Sequence, residues 1–387
     1  MRGHELPKRV VIARHLLAAV SAAMLLGAVL IHVLSTLPSS YSWGRTLELF
    51  RDALVDSYFI VLAVIVTLAG IASRGHGALV SWLKKTARRP SALSLCVALV
   101  GLIASEVFQF SHSYTRADQL LLPFLLVCLV SMLEDRRFLA VGLSVAVGVG
   151  ALVTVSYVFT IIKSQLFVVG SPHDSWVISA EVRLFGQPLY RIVAAWAAMH
   201  SWAVVLCDRV YFLFFHHIAL VALFLFARAD RQEEVRYFLS LSLCYLIGVL
   251  SYFLLPTLGP AFYDPDQFSY IRKAVTFTPM IQGLLQRSTQ SVASGQLQSI
   301  DTYAFIAGMP SLHMAHETVM LFFSRKSSVM FVLSLIFWIL SLVAVLVLGW
   351  HYLFEALAGV IFALVVVSIA LLAAGPDFYR RRLSPER

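Results

Sequence analysis

VMFVLSLIFWILSLVAVLVLGWHYLFEALAGVIFALVVVSIALLAA, residues 329–374, decides the fold. Apart from His351 and Glu355 the stretch has no acidic or basic side chain. It divides at GWHY into two apolar runs, about 329–350 and 352–374, each of the roughly 20 residues that a helix needs to cross a bilayer. Inside hydrocarbon every backbone N–H and C=O must be paired within the segment or within a closed barrel. The alternation of barrel strands is missing, so the runs are read as helices.

The rest of the chain has the same character. Of 387 residues 59% are hydrophobic and 13% charged, against roughly a quarter charged in an ordinary soluble domain. Working outward gives ten candidate spans, about 12–36, 53–73, 91–110, 118–133, 138–162, 201–227, 237–255, 311–324, 329–350 and 352–374. The fourth and eighth are short. The expected fold class is therefore all-α, a polytopic membrane bundle of about ten helices. The first run follows Lys8 and Arg9 and reads as a retained anchor rather than a cleaved signal peptide.

The net charge of +9 would suit a nucleic-acid partner if it were clustered, but it lies in short loops beside apolar spans. Cytoplasmic loops concentrate Lys and Arg. With both termini cytoplasmic, every inner segment is basic: Arg74, Lys84, Lys85, Arg88 and Arg89 follow span 2, Arg136 and Arg137 follow span 4, and Arg380, Arg381 and Arg382 follow span 10. The expected partners are the bilayer and a lipid, with no nucleic acid. Cys96, Cys128, Cys207 and Cys244 all lie in apolar runs with no CxxC spacing, so neither a disulfide framework nor a zinc ribbon is read.

Two outer segments exceed simple connectors. Residues 163–200 mix Trp176, Tyr190 and Trp196 with charged residues, as helices lying along the headgroup layer do. Residues 256–310 open with PTLGPAFYDPD, and loops of that length usually cover a site or are disordered. The domain layout expected is an N-terminal bundle over 1–162 of unknown role, an interfacial segment over 163–200, a catalytic membrane domain over 201–375 and a basic tail over 376–387.

Ionisable groups within spans are costly and read as functional until explained. The candidates are Glu106, Asp208, Arg209, His216, His217, His313, His316, Glu317, His351 and Glu355. His351 and Glu355 are four apart and share a helix face. A carboxylate bonded to one imidazole nitrogen raises the basicity of the other, which prepares a histidine nucleophile. The plainer reading is an interfacial His with a helix-stabilising Glu. In GMPSLHMAHE, residues 308–317, Pro310 suits a first helical turn. The amides of Ser311, Leu312 and His313 would then face outward and attract a phosphate, with His313 placed to protonate a leaving oxygen. The topology brings His313 and His351 to one face of the membrane.

PSLH followed by HYLFE resembles the second and third signature motifs of the membrane type-2 phosphatidic-acid phosphatase superfamily, and most of all its inositol phosphorylceramide synthase branch. The resemblance covers roughly residues 200–375. It implies a nucleophile at His351, an orienting carboxylate at Glu355, a general acid at His313 and a reaction through phosphohistidine that needs no metal or other cofactor. An alcohol acceptor makes a headgroup transferase and water a lipid phosphate or polyprenyl diphosphate phosphatase. Substrate contacts are expected at Ser311 and Leu312, at Arg272 and Lys273 in the outer loop, and at Asp208 and Tyr211. The location implied is a plasma membrane, in all expectation a bacterial inner one, with the site on its outer face.

Three departures from the pattern stand out. The superfamily's Asp is Glu355, the arginine six residues before the nucleophile is Val345, and no KxxxxxxRP motif occurs. Arg272, Lys273, Arg287 or Arg209 would have to supply the missing cation. Two other readings compete. A transporter would show paired broken helices and inverted repeats, and no matching halves are found. A metal site from His313, His316 and Glu317 lacks a standard ligand spacing.

Overall fold

The structure, a computed structural model, describes residues 172–228, 230–294 and 308–373, together with Ile306 and scattered positions between 148 and 166. Candidate spans 1 to 4 and the basic tail lie outside the described residues. Within them the regular elements are all helical: α1 (Asp174–Phe185), α2 (Leu189–Met199), α3 (Ser201–Phe212), α4 (Phe214–Arg228), α5 (Arg231–Leu254), α6 (Pro260–Tyr263), a 3-10 turn (Pro265–Phe268), α7 (Ser269–Ala274), α8 (Phe277–Ala293), α9 (Leu312–Ser324), α10 (Ser328–Val347) and α11 (Leu353–Ala373).

Among the described residues three helices are long and apolar enough to cross a membrane: Gln232–Leu254 within α5, Ser328–Val347 and Leu353–Ala373. α10 and α11 leave Val332, Ile336, Ile339, Ile361 and Leu364 exposed. Side chains of this kind are stable facing lipid and unfavourable facing water. Span 6 is carried by α3 and α4, and Leu213 joins them without breaking the ladder: its N–H donates to the Arg209 carbonyl and its own carbonyl accepts from His217. The residues before it instead turn sharply into this candidate span, because α2 and α3 meet at 112° about His200, whose φ of −127° and ψ of 68° are not helical.

α9 has 13 residues, about 20 Å at 1.5 Å per residue, too short for a hydrocarbon core of about 30 Å. Its surroundings explain how it persists. It packs against α4, α5, α10 and α11, and Met314, Ala315, Val319, Met320 and Phe323 are completely buried. A helix walled by protein need not reach either membrane face. The close approach of α11 depends on Gly359, where an added Cβ would lie 2.3 Å from the Ser311 carbonyl oxygen.

Candidate active site

The position of His351 begins with the end of α10. Gly349 takes a φ of 66°, a left-handed conformation that glycine adopts without steric cost. The Trp350 N–H then reaches the Val345 carbonyl at 2.9 Å, and the Gly349 N–H reaches Leu346 at 3.2 Å. This pair of bonds is a Schellman stop, and it leaves His351 at the corner before α11.

Glu355 is the third residue of α11 and reaches back to its start, accepting from the Tyr352 N–H at 3.2 Å, half of a capping box. The same oxygen lies 2.8 Å from His351 Nδ1. Glu355 is completely buried and His351 is nearly so. A carboxylate accepting from Nδ1–H directs the lone pair of the neutral ring to Nε2.

His313, in the first turn of α9, has its ring centre 6.3 Å from that of His351. Tyr211 stacks on it at 4.5 Å and Phe214 lies at 4.6 Å, so the imidazole is held between two aromatic rings. Tyr211 continues the stack onto Trp350 at 4.9 Å and 8°. His313, His351, Tyr211, Trp350, Leu312 and Lys163 all line one cavity of about 140 Å³, with Phe159, Tyr252, Leu258, Phe262, Leu285 and Ile306 completing its wall. Cavities near 150 Å³ hold a benzene-sized molecule, so a phosphate group fits.

The phosphate cradle expected from GMPSLH differs in detail. Pro310 precedes the helix instead of opening it. Ser311 is the N-cap, with its hydroxyl accepting from the Met314 N–H at 3.3 Å. The Ser311 amide is not free either: it donates to the Glu355 carbonyl at 2.9 Å. The Leu312 backbone meets the Tyr252 hydroxyl. Two of the three amides expected to face a ligand are thus engaged, Ser311 because Gly359 lets α11 close upon the start of α9 and Leu312 by Tyr252 of α5.

Other expected contacts lie apart from the cavity. Asp208 is buried against the start of α8, accepting from the Thr278 N–H at 2.9 Å and its hydroxyl at 2.6 Å, so it caps that helix. Arg272 and Lys273 are exposed on α7. Tyr270 and Ile271 turn that short helix inward, which leaves the next two side chains facing out. The three groups weighed as a metal site do not converge: His316 Nδ1 faces the Leu312 carbonyl at 2.7 Å and Glu317 pairs with His217.

Three residues given no role by the motifs are close to the site. Lys163, which the topology count treated as one more outer basic residue, brings its amine to the cavity, where burial lowers its pKa to about 7, and lies 5.2 Å from the Phe159 ring centre. Asp174 accepts from the Leu258 and Gly259 amides, at 2.9 and 3.0 Å, and from the Tyr352 hydroxyl at 3.0 Å. Glu181 accepts from the Leu353 amide at 2.9 Å and the Leu189 amide at 3.1 Å. The two acids are seven residues apart in α1, two turns along one face, and that spacing was the signal available in the sequence.

Burial raises both carboxyls above their usual range, the Glu355 charge raises them further, and the backbone donors oppose the shift. A raised folded value means that each contributes stability at low pH and loses it as pH rises through that value. Asp174→Ala leaves two amides and one hydroxyl without their acceptor and is expected to cost about 3 kcal/mol. Thermal unfolding in detergent should show the loss, with Asp174→Asn intermediate because its amide oxygen still accepts.

Residues 175–369, just over half of the chain, match the model of the PAP2 superfamily. No curated protein and no solved structure matches the chain.

Proposed function

The chain belongs to the PAP2 superfamily, and from that premise we propose that it is a membrane enzyme transferring the phosphoryl or phospho-headgroup of a lipid to an acceptor through a phosphohistidine. The observation that carries the reading is the meeting of His313 with the His351–Glu355 pair in one cavity, although one histidine sits in the first turn of α9 and the other at the corner before α11.

In the proposed cycle Nε2 of His351 attacks phosphorus in line, and the bond from phosphorus to the leaving oxygen breaks. His313 gives that oxygen its proton. Positive charge developing on the His351 ring is balanced by Glu355 through Nδ1–H. An acceptor hydroxyl then returns its proton to His313 as its oxygen attacks the phosphohistidine, freeing His351. The transferring group carries its charge on peripheral oxygens throughout, and Lys163 is the cation given to them here in place of the arginine that Val345 lacks. Tyr211 and Trp350 close one wall and limit the water around His313.

The Leu of PSLH favours an alcohol acceptor, as in an inositolphosphotransferase. Water in the same position would make a lipid phosphate phosphatase. In this reading the chain has ten spans with both termini in the cytoplasm and the site at the outer face of an inner membrane, beneath the interfacial segment, with residues 1–162 as an N-terminal bundle. The distribution of Arg and Lys supports that orientation.

The test is purified protein in nanodiscs given labelled phosphatidic acid, phosphatidylinositol or polyprenyl diphosphate, with and without inositol or another alcohol. Label passing to the alcohol supports a transferase and free phosphate a phosphatase. Lipid that crosses the bilayer with no chemical change would return the protein to the transporter reading. With whichever donor reacts, Lys163→Met is expected to lower kcat/KM about 100-fold, the typical loss when one preorganised donor to a developing anion is removed.

A further inference from the structure

One turn deeper than the cavity, α4, α9 and α10 enclose polar side chains that the proposed reaction does not use. His217 Nδ1 lies 2.8 Å from Glu317 Oε2, and His217 Nε2 lies 2.9 Å from Ser334 Oγ. Ser334 Oγ is 2.7 Å from Ser324 Oγ, and the Ser324 hydroxyl reaches the Met320 carbonyl at 2.8 Å. The Ser341 hydroxyl donates to the other Glu317 oxygen at 3.1 Å. His217, Glu317, Ser324 and Ser334 are completely buried.

The direction of these bonds fixes the number of protons. A carbonyl only accepts, so the Ser324 hydrogen goes to Met320. Ser324 then has only a lone pair for Ser334, and Ser334 spends its one hydrogen there. Ser334 consequently accepts from His217, which requires a hydrogen on Nε2. The contact between Nδ1 and Glu317 still needs a hydrogen of its own. Two protons are therefore shared by a pair that would hold one as neutral imidazole and carboxylate.

Electrostatics favours the same count. Without the second proton the pair carries a net negative charge in the membrane interior, a state that costs several kcal/mol unless compensated. The titratable neighbours do not compensate it. On α5, Tyr237 donates its hydroxyl to the Ile218 carbonyl. On α9, His316 gives Nδ1–H to the Leu312 carbonyl at 2.7 Å, while its Nε2 stands 3.4 Å from the Leu241 carbonyl, beyond the roughly 2.7–3.2 Å of an N–H···O bond, so that contact does not require a second ring hydrogen. On α4, His216 is exposed on the outer side of its helix. α10 brings two serines and the Phe337 ring, stacked on His217 at 4.6 Å.

We propose that His217 and Glu317 form an intramembrane proton-binding site, holding one proton beyond neutral histidine and carboxylate, with the Ser334–Ser324 hydroxyls as its link to the far end of α9. Ser324 is the last residue of that helix, beside Arg325 and Lys326, so the site exchanges protons toward the face opposite His313. Release of the proton reverses two hydroxyls: Ser334 donates to Nε2, Ser324 donates to Ser334, and the bond to Met320 is given up. The site stands apart from the phosphoryl-transfer reading, and its test needs no turnover.

Full-length protein labelled with 15N histidine is placed in nanodiscs and studied by solid-state NMR, with His217 assigned by loss of its signal in His217→Asn. At pH 7 the expected result is a protonated Nε2, together with either a protonated Nδ1 or a carboxylic-acid C=O band that disappears in Glu317→Gln. Ser324→Ala frees the Ser334 hydroxyl to donate to Nε2, so it should move that one signal toward the unprotonated form. This small substitution also supplies the assignment should His217→Asn fail to fold. A bare Nε2 in the unaltered protein overturns the proposal. So does a protonated Nε2 accompanied by a bare Nδ1 and no acid band.

Discussion

His351→Asn is expected to abolish lipid phosphate turnover, a loss of at least about a thousandfold in kcat, which is the scale reached when a nucleophile is removed from a group that acts as a unit. Asparagine offers an amide hydrogen to the Glu355 oxygen now 2.8 Å from Nδ1, so the carboxylate keeps a partner and the start of α11 keeps its cap. The unfolding temperature should therefore stay close to that of the parent protein. Alkali-quenched label that is base-stable and acid-labile, trapped on the parent protein and missing from the variant, would identify the phosphorylated histidine. Unchanged turnover would remove His351 from the mechanism, and the phosphohistidine with it.

Glu355→Gln is the second large effect, on the order of a hundredfold in kcat, because a charge-assisted hydrogen bond contributes about 2 to 3 kcal/mol. One oxygen of Glu355 accepts from both His351 Nδ1–H and the Tyr352 amide. A glutamine oxygen in the same place makes both contacts without the charge. The variant thus keeps the geometry and loses the balance for positive charge on the phosphorylated ring. Glu355→Asp is the complement: the charge stays, but one methylene less withdraws it from the imidazole, and catalytic geometry is sensitive to about 1 Å. If glutamine leaves kcat intact while aspartate lowers it, Glu355 serves as a cap and orienter alone.

Much of this was legible before any tertiary contact was known, and the legible parts share a property. The apolar runs of α10 and α11, and the pairing of His351 with Glu355, depend on residues within one or two helical turns. The eighth span was also read correctly as short, although its meaning changed: α9 is a buried central helix because four others surround it. Where the reading failed, it treated a local motif as if it had no neighbours. GMPSLH predicts a helix start with open amides, and it has a helix start. The Ser311 amide is taken by Glu355 because glycine at 359 allows α11 to come within contact.

The assignment of charges shows the same division. Arg272 and Lys273 fit the need for a cation by loop position, yet Tyr270 and Ile271 turn their helix so that both point away. Lys163 belongs to a different helical stretch and lines the cavity. Asp174 and Glu181 were given no role by the motifs, whereas they hold the first amide of α11 and the loop at Leu258.

By itself the sequence determined a helical membrane protein and a histidine within reach of a carboxylate, because lipid forces backbone bonds to be satisfied within each segment and an acid in the first turn of a helix reaches back to the residues just before it. Only the tertiary structure decided which side chains share the cavity with that histidine, and which protons the buried His217–Glu317 pair must hold. Those depend on how closely separate helices approach, and an approach set by a missing Cβ or by the facing of one turn leaves no periodic trace in the chain.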